Sequence, residues 1–327
     1  MPLRYTISIY WRISTTYYYI LYDKVMFYKS GNSLLLYNDN CGIINDYYQN
    51  IVTIIKHILE NNPDLHINIV LGGNYNFNNN NKTLVISINY EHTLVKKGGR
   101  SVPFGTPIGT VKDDTNDNYF VRIDNFDNLN KSDIIIDYSK PNIYNVKTCS
   151  LYNSFSKKHI YVYASMYTPY FIKYNRNIVT LTTFINTNEP IRANLLAKIR
   201  SEKIEHININ NCFKENEMRD IYQKTKILIN VHQTPHHHTF EELRVLPALE
   251  SGVIVISEKS PLIETIPYSD LIIWVNYDDI IEKIKDVIHN YDSLHSSIFS
   301  TENIARLRSY SKLNYDVLQH AILEKSS

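Results

Sequence analysis

The sequence predicts an α/β protein made of two halves, each a parallel sheet with helices on its faces. Three observations carry that prediction. Between residues 178 and 289, short apolar runs alternate with helical stretches at the spacing of βα units. The stretch 227–258, ILINVHQTPHHHTFEELRVLPALESGVIVISE, holds a complete strand–helix–strand unit with a glycine stop. A looser alternation over 33–164 precedes Ser165–Asn177, a segment with Pro169 and no helical period, where the linker between halves is placed. The resulting division is 1–170, 171–301 and a terminal helix in 302–327.

In the first half, Ser33–Tyr37 reads as a strand, and Asn38–Gly42 as a polar turn. Asp46–Asn61 reads as a helix, with Ile51, Ile54, Ile55 and Ile58 at helical spacing and Pro63 after its end. His66–Leu71 is the next strand, closed by Gly72-Gly73, and Asn76–Lys82 is a surface loop. Thr83–Asn89, Tyr119–Ile123, Asp133–Tyr138 and His159–Ala164 follow as strands. In the second half the order is strand Ile178–Ile185, helix Arg192–Arg200, strand Ile204–Ile209 and helix Glu217–Thr225. Strand Ile227–Val231, a helix from Thr239 to Gly252 and strand Val253–Ser257 form the central unit. Strand Leu271–Val275 and helices Asp278–His289 and Glu302–Glu324 close the chain. No short internal repeat is visible.

Composition narrows the classes. The chain has 327 residues, 43% of them hydrophobic, and a formal net charge of +1. No global basic field points to nucleic acid, so a charged-ligand site must be local. Cys41, Cys149 and Cys212 are isolated and odd in number, which argues against a disulfide framework or a cysteine zinc site and suits a reducing compartment. Glycine is scarce (9) and tyrosine abundant (27), a bias that fits an AT-rich genome. No run of about 18 apolar residues predicts a transmembrane helix. The aromatic N-terminus, residues 1–22, lacks the marks of a signal peptide and reads as an extra strand pair or extension, with a peripheral membrane contact as the other reading.

The chemistry-bearing residues gather where loops leave the strand C-termini, the edge at which open α/β sheets bind ligands. Thr239 and Glu242 fit a capping box, Thr at N-cap and Glu at N3. Glu241 and Arg244 share a helical face, as a surface ion pair or as phosphate and ribose contacts. Leu243, Leu246 and Leu249 read as sheet-facing core. Pro247 inside this helix predicts a kink or break. His232, His236, His237 and His238 match no zinc template, so no metal is assigned, and His238, just before the expected cap, is the best placed for a sugar or phosphate. Arg192 sits near another helix N-terminus, where a diphosphate is attracted. Glu91 and His92 follow a buried strand at its carboxyl edge, the place for a general base facing a cleft. Gly98, Gly99 and Arg100, beside Lys96 and Lys97, make a phosphate or acceptor loop, or a solvated turn. The GxGxxG and P-loop signatures are absent.

Together these residues resemble nucleotide-sugar-dependent glycosyltransferases of the GT-B fold, the second half looking like the donor domain called glycosyl transferases group 1. HHHTFEELRVLPALESGVIVISE and INYEHTLVKKGGR resemble glycosyltransferases encoded by large cytoplasmic DNA viruses. The likeness is densest over about 227–280, with 178–226 and 84–100 contributing. It implies two facing Rossmann-like domains with parallel sheets, donor held by the C-terminal one and acceptor mainly by the N-terminal one, and a C-terminal helix returning to the first domain. Arg244 matches the family's helix arginine, Gly252 its strand-entry glycine, and Ser257-Glu258 the polar strand end near the nucleotide. Many retaining members carry two Glu separated by seven residues, the second five positions before that glycine. Glu242 and Glu250 have that spacing, but Glu250 is two before Gly252 and Pro247 stands five before. The spacing is therefore a coincidence of register. Another group places Glu three after the arginine, which here is again Pro247.

The expectation is a metal-independent glycosyltransferase with no resident cofactor, moving a sugar from a nucleotide sugar, UDP favoured, to a glycan or glycoprotein. Arg192, His238, Thr239, Glu241, Arg244 and Glu258 are the donor candidates. Glu91 or His92 would deprotonate the acceptor if the reaction inverts. The resemblance implies the cytoplasm, or a viral factory if the source is viral, and no nucleic-acid partner. A sugar-nucleotide epimerase of the same fold, a non-catalytic glycan-binding or assembly protein, and DNA base modification are the alternatives, the near-neutral charge counting against the last.

Overall fold

The computed structural model describes residues 25–73, 75–90, 94–96, 108–112, 118–123, 125–167, 175–210, 217–234 and 239–326. The first half opens with a hairpin of β1 (Val25–Ser30) and β2 (Ser33–Asn38). Its turn needs Gly31: φ is +56°, and a Cβ there would stand 2.9 Å from the Pro63 carbonyl oxygen. Then come α1 (Asn45–Asn61), β3 (Ile67–Leu71), β4 (Lys82–Asn89), β5 (Leu94–Lys96), β6 (Ile108–Lys112) and β7 (Asn118–Arg122). They are followed by α2 (Phe126–Lys131), β8 (Ile134–Asp137), α3 (Lys140–Thr148), α4 (Asn153–Ser156) and β9 (His159–Tyr161).

These strands form a six-stranded sheet in the order β1-β2-β3-β4-β8-β9, parallel except for the β1–β2 pair. A three-stranded antiparallel sheet, β5-β7-β6, is inserted between β4 and β8. The stretch expected as strand Tyr119–Ile123 is its middle member and not part of the parallel sheet. A period-two pattern marks a strand without saying which sheet takes it. The parallel sheet winds in one direction and offers no switch point. α1 forms because its apolar positions recur on one face, and Ile51, Ile55, Ile58 and Leu59 are fully buried against the sheet. β8 is buried on both faces: Ile134 and Ile136 join the main core, and Ile135 joins a second cluster with Tyr152 and Phe155.

The second half runs β10 (Ile178–Thr182), α5 (Pro190–Ser201), β11 (His206–Asn208), α6 (Glu217–Lys224), β12 (Thr225–Asn230), α7 (Glu242–Glu250), β13 (Ile254–Glu258) and β14 (Ile272–Val275). α8 (Ile280–His289), α9 (Tyr291–Ile298) and α10 (Thr301–Ser326) follow. All pairs in its five-stranded sheet are parallel, in the order β11-β10-β12-β13-β14. Winding reverses between β10 and β12, which makes their carboxyl ends a topological switch point.

α10 crosses back to the first half, packing on α1 and β4. Leu307, Leu318 and Ile322 are fully buried, and Asn314 is clamped to the Tyr163 backbone, accepting from its N–H (2.7 Å) and donating to its carbonyl (3.0 Å). The main core is continuous through both halves. This is the expected architecture: α/β, two mostly parallel sheets, and a returning C-terminal helix, in agreement with the GT-B arrangement. Among the described residues no helix is long and apolar enough to cross a membrane.

Candidate functional site

The switch point gathers two arginines at equivalent places. β10 leads through a loop into α5, and β12 through another into α7. Arg192 and Arg244 are the third residues of these helices. They lie close enough that the Arg244 guanidinium disfavours the charge on Arg192. Arg192 is almost entirely buried, its guanidinium 4.6 Å from the centre of the Phe184 ring. Burial, then repulsion by Arg244, lowers its pKa to about 10, while Glu241 and Glu189 pull it back up. Its Nε is buried without a hydrogen-bond partner among the described residues.

Arg244 is half-buried and donates through Nη1 to Asn230 Oδ1 (3.1 Å), the last residue of β12. Asn230 in turn donates to the Ser257 hydroxyl (3.0 Å) at the end of β13. Phe184, the platform under Arg192, is fixed by Asn208, which accepts from its N–H (2.9 Å) and donates to its carbonyl (3.2 Å). Thr183 Oγ1 and Ser260 Oγ, which follow β10 and β13 at the same edge, are also buried without partners among the described residues. Buried polar atoms are ordinarily satisfied, so these three leave hydrogen-bonding capacity unused along one sheet edge.

The other donor candidates are placed as follows. Glu241 occupies the N-cap position of α7 and makes no capping bond. Glu258 ends β13 and accepts from the His232 N–H (3.0 Å) through Oε2. The His232 ring bonds the Lys259 carbonyl (3.1 Å), so this histidine joins the two strand ends. Thr239 is buried three residues before the helix. Glu91, His92, Gly98, Gly99, Arg100, His236, His237 and His238 lie outside the described residues, as does Cys212. β4, which Glu91 follows in sequence, ends at the carboxyl edge with Asn89.

Three expectations about α7 are corrected. The capping box does not form, because the helix starts at Glu242 itself, and that side chain is needed elsewhere. Of the kink or break expected at Pro247, the break does not occur: the helix runs through it as its sixth residue, and the missing amide removes one bond, to the Leu243 carbonyl. Leu246 and Leu249 are core, whereas Leu243 is only half-buried. The glycine stop does form: Gly252 N–H bonds the Leu249 carbonyl (2.9 Å) and Val253 N–H the Ala248 carbonyl (3.0 Å), with Gly252 at φ +73°.

Glu242 and Glu250 both face the seam between the halves, not the switch point. Glu242 is fully buried and accepts from the Tyr268 hydroxyl (2.6 Å). Burial raises its pKa to about 8, against the lowering by hydrogen bonds from Tyr268, Ser139 and the Lys140 backbone. Glu250 accepts from the Ser165 hydroxyl and from the amides of Met166 (3.0 Å) and Tyr167 (2.9 Å). Burial pushes it to about 8 as well, against those bonds. Sequence reasoning missed Phe184, Asn208 and this seam role. The one available signal was Asn230, a polar residue ending an apolar strand at the ligand edge.

No protein-family profile matches the chain. Over 170 residues it is 31% identical to an uncharacterized protein of Acanthamoeba polyphaga mimivirus. The match covers 50% of this chain and 56% of that protein, so the chain spans little more than half the length of its giant-virus relative.

Proposed function

We propose that this chain is a glycosyltransferase that binds a nucleotide sugar at the switch point of the second sheet. The observation that carries the reading is the pair Arg192 and Arg244, both at N3 of helices flanking that point. Two guanidiniums forced together there favour a ligand with at least two negative charges, and each helix N-terminus adds partial positive charge toward it. A nucleoside diphosphate fits this charge. In the transfer, the acceptor oxygen bonds the sugar's anomeric carbon as that carbon's bond to the diphosphate oxygen breaks. The two arginines then bear the charge left on the diphosphate. Glu241, beside Arg192, and Glu258, at the end of β13, are the acceptors within this edge for ribose hydroxyls. Glu91 and His92 remain the candidates to take the acceptor's proton. UDP as the nucleotide and a glycan or glycoprotein as acceptor belong to this proposal.

The test is a thermal-shift screen of nucleoside diphosphates and nucleotide sugars, with inorganic sulfate as control. A true ligand at about 100 times its Kd adds about 2.7 kcal/mol of stability. Stabilisation by at least one nucleotide, lost in Arg244→Ala, supports the reading. No stabilisation by any of them, with no hydrolysis or transfer of the sugar, ends it.

A further inference from the structure

β11 and β12, the two strands that flank β10, both end on asparagine, and each asparagine serves one arginine of the switch-point site. The ladder between β10 and β11 closes at the Thr182–Asn208 pair and at the bond from the Ile209 N–H to the Thr182 carbonyl (3.0 Å). Beyond that point the Asn208 side chain takes over from the backbone. Its Oδ1 accepts from the Phe184 N–H (2.9 Å), and its Nδ2 donates to the Phe184 carbonyl (3.2 Å). A side-chain amide offers a peptide group both of the partners a strand would offer, so the ladder is carried on to Phe184. The Asn208 amide cannot turn over. The Thr182 hydroxyl also donates to Oδ1 (2.8 Å), and the His206 ring bonds that hydroxyl through Nε2 (2.9 Å). Turning would set Nδ2 against two donors. Phe184, held this way, is fully buried, and the Arg192 guanidinium lies 4.6 Å from the centre of its ring.

Asn230 does the same work on the other side of β10. It is buried, its Oδ1 accepts from Arg244 Nη1 (3.1 Å), and its Nδ2 donates to the Ser257 hydroxyl (3.0 Å). That hydroxyl gives its own proton to the Glu258 carbonyl (3.1 Å), so the direction of this amide is fixed as well. We propose that Asn208 and Asn230 are the positioning residues of the arginine pair: Asn208 sets Arg192 through Phe184, Asn230 sets Arg244 directly, and both orient a guanidinium without neutralising it. The inference rests on the nucleotide reading of the site, because the placing of the arginines matters to a ligand that they bind.

The choice of an amide has a physical reason at both places. A carboxylate at position 230 would bond Arg244 charge to charge and compete with an anionic ligand for it. A carboxylate at position 208 would keep the bonds from the Phe184 N–H and the Thr182 hydroxyl and lose the donor to the Phe184 carbonyl. Glu189 and Glu241, at the N-caps of α5 and α7, are the acids whose charge reaches Arg192, and neither is part of its ring platform. A binding group whose supporting layer is loosened misplaces its donors, and affinity falls although the group itself is present.

The experiment has two measurements on the full chain. The first uses no ligand: urea unfolding of Asn208→Ala, Arg192→Ala and the double variant, with the same cycle for Asn230→Ala and Arg244→Ala. The expected result in each cycle is a double variant whose midpoint falls by less than the sum of the two single shifts. Additive shifts in the first cycle overturn the action of Asn208 through Phe184, and in the second that of Asn230 on Arg244. The second measurement titrates UDP, and separately uridine, into the wild type, Asn208→Ala, Asn208→Asp and Asn230→Asp. Asn208→Asp keeps the result readable where Asn208→Ala does not fold. UDP is expected to weaken by about tenfold or more in each variant, the worth of one charge-assisted bond, with uridine unchanged. Unchanged UDP affinity, or UDP and uridine weakened alike, overturns the positioning role and leaves the asparagines as supports of the fold. If UDP does not bind the wild type, the nucleotide reading fails instead, and the unfolding cycles alone decide whether the asparagines set the arginines.

Discussion

Arg244 spends one nitrogen on Asn230 and is half-exposed, whereas Arg192 is sealed over Phe184 with its Nε unsatisfied. The two therefore answer differently to replacement. Arg244→Ala removes a charged donor and its bond to the buried Asn230, and the loss of charge-assisted bonds of about 1.5–3 kcal/mol weakens a nucleoside diphosphate by roughly 10–100-fold. Isothermal titration reads this directly. Arg192→Ala also strips packing from Phe184, so its melting temperature falls with no ligand present. Of these two, the sequence showed both, since each lies at a helix start after an apolar strand. It could not show that burial leaves Arg192 short of a partner, because that depends on Phe184 and on Asn208, which is 24 residues beyond Phe184 in the chain.

At the scale of elements, α7 shows where local pattern stops deciding. Thr239 and Glu242 have capping-box spacing, but Glu242 lies in the seam against Tyr268, and the helix begins there instead. A tertiary contact outweighs a cap of about 1 kcal/mol. The far end of the same helix was legible, since a glycine after an apolar run marks a left-handed stop whatever surrounds it. Gly252→Ala is expected to destabilise the chain by about 1 kcal/mol or more, because its φ of +73° disfavours a side chain. Urea unfolding checks it, with the midpoint falling and the slope unchanged. β7 was legible as a strand and illegible as a member of the small antiparallel sheet, since its partners β5 and β6 are only three and five residues long, too short to show an alternation of their own.

At the scale of the whole molecule, the order of strands and helices in the second half could be read along the chain except for α9, which no expected element covers, and the 2-1-3-4-5 winding that creates the site could not. Winding depends on which strands pair, and periodicity does not report pairing. The same holds for α10. Its length was visible, while its docking on α1 follows from Leu307, Leu318, Ile322 and Asn314 fitting the first half. Removing residues 302–327 exposes a face of α1, at about 1.5–3 kcal/mol for each lost buried apolar side chain. Circular dichroism melting is expected to show a broad, early transition in that truncation.

Stability against pH tests the seam without reference to any ligand. In the folded chain Glu242 and Glu250 hold their protons up to about pH 8, whereas in the unfolded chain both titrate near 4.5. Between those values the folded state binds more protons than the unfolded state. Their contribution to stability is therefore fully present below about pH 4.5, is lost as pH rises toward 8, and changes no further above it. Melting temperatures across pH 5–9 are expected to fall more steeply for the wild type than for Glu242→Gln/Glu250→Gln, with the two curves parallel above about pH 8. Other groups titrate in both proteins alike, so the difference between the curves isolates the two acids. Curves parallel throughout would mean that the seam already holds carboxylates, and that something other than their neutral form lets the continuous core close around them.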